Sequence, residues 1–136
     1  MVHYYGDYVR RLFLVGAFLM ALTLPFFYVL IMVGPVYLSM FAIVALGVAA
    51  GATNPRHRWV AVLDVCISVA AIITFEYHAI YASSPFGAVS TVRNFFWTNQ
   101  TLTVIFLTAL YYSVKTLRGK LMLNKNKFAF REEDEE

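Results

Sequence analysis

The chain has 136 residues, of which 60% are hydrophobic and 14% charged, with a formal net charge of +3 and a mean hydropathy of +0.65. Soluble domains carry about 45–50% apolar and about 25% charged residues, so this balance excludes an ordinary soluble core and predicts an all-α integral membrane protein. A span needs about 20 apolar residues to cross about 30 Å of hydrocarbon, and four such spans leave room for short connections but no separate soluble domain.

The first predicted span covers residues 12–33. It follows Arg10-Arg11-Leu12-Phe13-Leu14, which has the form of a twin-arginine export signal. The apolar run continues into Pro25 and Gly34 without a small-x-small cleavage site, which predicts an uncleaved anchor. Pro25 removes one helical hydrogen bond and predicts a kink, with Thr23 placed to satisfy the freed carbonyl. Val33-Gly34-Pro35 then turns the chain directly into span two, residues 35–52, which makes the two spans an antiparallel hairpin. Span two carries Gly47 and Gly51, a Gly-x-x-x-Gly pair that permits close helix approach, either to span one or to a second copy of the chain.

Asn54-Pro55 stops span two and restarts the chain into span three, residues 59–82. The single cysteine, Cys66, lies within span three and reads as a buried small apolar group, since one thiol forms no internal disulfide. After a loop at 83–92, span four covers 95–114, so that residues 1–114 form a four-helix transmembrane domain. Residues 115–136 form a tail, basic as far as Arg131 and acidic from Glu132 onward. The basic part belongs near anionic headgroups and the acidic end in solvent. None of the spans has the alternating pattern of a barrel strand.

Basic residues set the orientation. Ten of the eleven, including Arg10, Arg11, Arg56 and Arg58, fall on one side, and Arg93 alone falls on the other. That distribution predicts cytoplasmic termini at both ends. The same topology accounts for the basic residues without any nucleic-acid partner. A multi-pass protein of the cell membrane is expected, and a chain without disulfides suits a bacterial inner membrane.

Ionisable groups inside spans cost at least about 2.5–3.5 kcal/mol each, so they pair, face the bundle interior or mark a pathway. Span three has Asp64, Glu76 and His78. Asp64 lies six residues from Arg58, within reach of the cytoplasmic interface, and Arg10, Arg11 and Arg56 are its predicted ion-pair partners. Glu76 has an apolar stripe of helical neighbours and needs a partner on another helix. Gln100 and Asn99 on span four share its depth, and Arg93 lies at the mouth of the same helix pair. Tyr28, Tyr37 and His78 fall in about the same layer, which makes this the densest polar cluster of the chain. His78 diverges from Glu76 by about 200° around the helix.

Three functions fit these residues. The leading expectation is a structural or interaction subunit of a membrane assembly, self-associating and open to a cytoplasmic or membrane protein partner, in which Glu76 braces a compact bundle. The alternative makes Glu76 a proton or cation site in a channel or coupled carrier. A third reading, a hydrolase with His78 as base to Thr98 or Thr101, has only base-next-to-hydroxyl logic behind it. The ligand spacing, phosphate loops and nucleophile elbows that would announce a metal, cofactor or enzyme are missing from the sequence.

Overall fold

The computed structural model describes residues 5–27, 33–52, 58–83 and 90–133. These form four helices in chain order, α1 (Gly6–Phe27), α2 (Val33–Ala52), α3 (Arg58–Ser83) and α4 (Ser90–Glu133). No strand occurs among the described residues. Two of the helices are long and apolar enough to cross a membrane, Gly6–Phe27 and Arg58–Tyr81, and Val36–Ala52 is a shorter apolar helix. In α4 the run from Arg93 to Thr103 alternates aromatic residues with Asn, Gln and Thr, which dilutes its hydropathy.

Helix boundaries differ from the expected spans: α1 ends at Phe27 rather than 33, Val33-Gly34-Pro35 opens α2 rather than turning the chain, α4 begins at Ser90 rather than 95, and both ends of the chain extend further. α1 starts six residues before Leu12, because Tyr5 caps it, accepting from the backbone N–H of Tyr8 at 3.0 Å and of Val9 at 3.2 Å. Asp7 sits in the first turn, where a carboxylate complements the positive end of the helix dipole. α4 does not stop at 114 but continues unbroken to Glu133. Leu, Met, Lys and Arg dominate residues 115–131, and these favour helix strongly enough to carry Gly119 and the weaker formers Thr116, Asn124 and Asn126. Pro25 lies inside α1, yet the Thr23 hydroxyl donates to Leu19 O at 2.7 Å and Met20 O at 3.3 Å. The carbonyl that Pro25 leaves unpaired is that of Ala21, so Thr23 serves the preceding turn instead.

The helices pack in the order α2, α1, α4, α3, each against its neighbour in that series. α2 and α3, at the two ends of the series, barely touch, which leaves a seam between them. The core is an aromatic file across three helices. Phe106 of α4 lies 5.9 Å from Phe13 of α1 and 5.6 Å from Phe75 of α3, centroid to centroid. Its ring is fully buried because Gly16 of α1 offers no side chain there: a Cβ at Gly16 would stand 2.9 Å from the Phe106 ring. A smaller cluster, Phe27 against Phe95 at 5.2 Å, closes the far end of α1 on α4.

Gly47 and Gly51 have open space where a Cβ would stand, with nothing within 4 Å. They are exposed and do not pack on α1. Cys66, expected to be buried, is exposed, because it lies on the side of α3 turned away from α4. Large apolar side chains face outward on every helix, among them Phe18, Phe41, Ile73 and Leu107.

Candidate functional site

Antiparallel packing of α3 on α4 brings Glu76 and Gln100 together. The Gln100 Nε2 donates to both Glu76 carboxylate oxygens, each at 3.4 Å. Both distances lie at the long edge of hydrogen-bond geometry, so the contact is a loose tie between two helices. Arg93 is exposed, and no ion pair joins it to Glu76 among the described residues. It precedes Gln100 by seven residues, about 10 Å along α4, which carries it beyond the carboxylate. Tyr37 is also exposed, since α2 packs on α1 rather than on α3. Tyr28 lies outside the described residues.

His78 and Asn99 belong to a different place. Both line a cavity of about 340 Å³ set among the four helices behind the α2–α3 seam, and neither Glu76 nor Gln100 lines it. The helical offset between Glu76 and His78 separates them as the periodicity requires. Nδ1 of His78 stands 2.7 Å from Thr74 O. A carbonyl only accepts, so Nδ1 carries the proton in this contact, and Nε2 is left for a further partner. The ring meets Phe95 edge-on at 6.4 Å. Asn99 is 5% exposed, and its Nδ2 donates to Phe95 O at 2.8 Å, which leaves one N–H and the amide oxygen for a further partner.

The cavity wall changes character along its length. Thr23, Ser39, Thr74 and Thr98 join His78 and Asn99 toward the end of the bundle where α4 begins. Toward the middle the wall is Met20, Leu46, Ile67, Ala71 and Leu102. The threonine hydroxyls donate back to carbonyls four residues earlier, Thr74 to Ala70 O at 2.8 Å and Thr98 to Asn94 O at 2.9 Å. Such back-bonding is how an apolar helix carries a hydroxyl without leaving it unpaired. It also takes Thr98 away from His78. Thr101 is exposed and donates to Trp97 O at 2.9 Å, so neither hydroxyl is hydrogen-bonded to a base.

Asp64 sits at the opposite end of α3, 5% exposed, next to Ser68, whose hydroxyl donates to Asp64 O at 2.8 Å. Among the described residues the cation that acts on it is Lys120. Arg10 and Arg11 are exposed on α1, and Arg56 lies outside the described residues. Because α4 continues past 114, Ser113, Thr116 and Lys120 form one stripe against α3, with Ser113 and Thr116 buried. Partial burial pulls the Lys120 ammonium below its ordinary value, and the Asp64 charge opposes that shift. The hydroxyls of Ser113 and Thr103 are buried without a hydrogen-bond partner.

A tyrosine cluster joins the start of α1 to α4 at the same end. Tyr112 stacks on Tyr5 and on Tyr8, both at 5.4 Å, and the Lys115 ammonium lies 4.6 Å above the Tyr5 ring. A hydrogen bond with Tyr5 pushes the Lys115 ammonium above its ordinary value.

Sequence reasoning missed Thr23, Ser39 and Thr74 as cavity residues, Gly16 as the close approach, and Lys120 as the partner of Asp64. One signal was available for the first three: each span holds a polar side chain at a similar distance from the same end. Among the described residues no three His, Cys, Asp or Glu side chains gather as a metal site would require. Comparison of the chain with protein-family models, with curated proteins and with solved structures finds no match.

Proposed function

We propose that the protein is a four-span membrane protein with both termini cytoplasmic, working as a structural or interaction subunit of a membrane assembly rather than as a conductor of ions. The membrane reading is supported by where the apolar side chains lie. In each of the two long apolar helices only 28% of the apolar stretch is buried in the bundle. A core helix of a soluble protein buries such a stretch, whereas lipid covers it in a membrane. α2 and α4 carry outward apolar faces of the same kind, including Phe41, Val48, Val104 and Leu107, which favours spans for them as well.

The observation that carries the functional reading is the position of Glu76, tied to Gln100 and outside the cavity wall. A carboxylate that relays protons or cations needs polar neighbours leading to and from it. Around Glu76 on its own helix stand Ile72, Ile73 and Ile80. It braces α3 against α4 within the bilayer, as an interhelical polar contact does. Self-association through α2 is consistent with the open space at Gly47 and Gly51.

Proteoliposomes loaded with a pH-sensitive dye test this reading. The wild type and Glu76→Gln should both match empty liposomes in proton and potassium flux, with Glu76→Gln still folded. Flux in the wild type that Glu76→Gln abolishes would overturn the reading in favour of a channel or carrier.

A further inference from the structure

The cavity beside Glu76 has no part in that bracing role, and its wall is unlike a packing defect. Packing defects in helical bundles are lined by apolar groups alone and stay small. At about 340 Å³ this one falls in the range of small-molecule sites, which run to roughly 300–1,000 Å³. Its polar groups converge at one end. Asn99 is buried in the wall with hydrogen-bonding capacity to spare, and His78 holds one ring nitrogen to Thr74 while the other has no protein partner among the described residues.

We propose that this cavity binds a single-chain lipid, a fatty acid or fatty alcohol, with its head group at His78 and Asn99 and its chain extending toward Leu46, Ile67 and Leu102. A head group that both donates and accepts matches what is left over there: the second ring nitrogen of His78, and one N–H and one oxygen on Asn99. The chain end meets only apolar side chains. From His78 to Ile67 is eleven residues of α3, about 16 Å of helix, close to the half-thickness of a hydrocarbon core of about 30 Å. One chain of a single leaflet is that long, whereas a two-chain lipid needs twice the cross-section. Entry from the bilayer is through the seam that α2 and α3 leave between them, so the proposal rests on the four-span reading.

The test uses the full chain in phosphatidylcholine nanodiscs and a long-chain fatty acid carrying a diazirine near its terminal carbon. After illumination, labelled peptides are mapped by mass spectrometry. The expected labels fall on the cavity stretches of α2, α3 and α4, with oleic acid and oleyl alcohol competing and hexadecane failing to compete. Ala71→Phe and Ala45→Phe, which fill the chain end from α3 and from α2, should each cut labelling by about tenfold or more by overpacking the site. If one of the pair does not fold, the other carries the test. His78→Phe keeps the ring contact with Phe95 and should raise the oleic acid needed for half-competition about two- to tenfold, the value of one hydrogen bond. Labels scattered over outward positions such as Phe18 and Ile73, undiminished by Ala45→Phe, would overturn the proposal, as would hexadecane competing as well as oleic acid. Release of the chain from membranes by alkaline carbonate would instead overturn the four-span reading.

Discussion

Gly16→Ala tests the packing of the bundle most sharply, because two opposed effects meet there and one of them can be measured separately. An alanine stabilises a helix relative to glycine by about 1 kcal/mol. At Gly16 the added Cβ would stand 2.9 Å from Cζ and 3.0 Å from Cε2 of Phe106. That ring is fully buried between Phe13 and Phe75 and has no room to retreat. Overpacking of this kind costs about 1–3 kcal/mol, so Gly16→Ala should be neutral to destabilising by about 2 kcal/mol. At Gly47 the same substitution meets nothing within 4 Å and should give the helix gain alone. The two alanine variants should therefore differ by about 1–3 kcal/mol, a comparison from which helix propensity cancels. Reversible unfolding in mixed micelles, at a dilution where the chain is monomeric, measures both. Phe106→Leu should shrink the Gly16→Ala penalty, a coupling that a double-mutant cycle reads directly. Equal effects at Gly16 and Gly47 would refute the close approach of α1 to α4.

Three further outcomes follow from the polar groups. Lys120→Met removes the cation acting on buried Asp64 and should destabilise the fold by about 1–3 kcal/mol, whereas Arg10→Met and Arg11→Met should each stay within about 0.5 kcal/mol in the same unfolding assay. Thr103→Val replaces a buried hydroxyl that has no partner, and unfolding should find it neutral or stabilising by up to about 1 kcal/mol. The Lys115 ammonium is held above its ordinary value of 10.5 by Tyr5, so the folded chain binds that proton more tightly than the unfolded chain. Its stabilising effect is full below pH 10.5 and is lost as pH rises through the raised value, so unfolding midpoints of wild type and Lys115→Met should converge in alkaline buffer.

Much of the architecture was legible in the sequence because apolar run length and backbone breakers act locally. Gly34-Pro35, Asn54-Pro55 and Ser84-Pro85 break the sequence into four apolar runs, and the structure has four helices, although Ser83 belongs to α3 and Ser90–Val92 to α4 rather than to the expected loop. In the structure Gln100 stands beside Glu76, at the depth that antiparallel neighbours joined by a short loop share. Lys120 was not legible as the partner of Asp64. Charge patterning marks it as part of a headgroup-facing tail, and only the continuation of α4 past 114 brings it onto the face that meets α3. Tyr37 failed for a tertiary reason: its depth is right, but α2 is the helix farthest from α3 in the packing order. The cavity was invisible for the same cause. Thr23, Ser39, Thr74 and Thr98 look like isolated polar residues on four separate spans until that order brings them around one space.

The central claim, four spans with both termini inside, is tested most directly by cysteine accessibility in intact cells. In a Cys66→Ala background, single cysteines replace the exposed residues Asp7, Arg58, Ser90 and Met122, one per variant. A membrane-impermeant maleimide should label Ser90→Cys from outside, and the other three only after the membrane is permeabilised. Labelling of Arg58→Cys from outside together with protection of Ser90→Cys is what two spans, α1 and α3, would give, and that result would contradict the account.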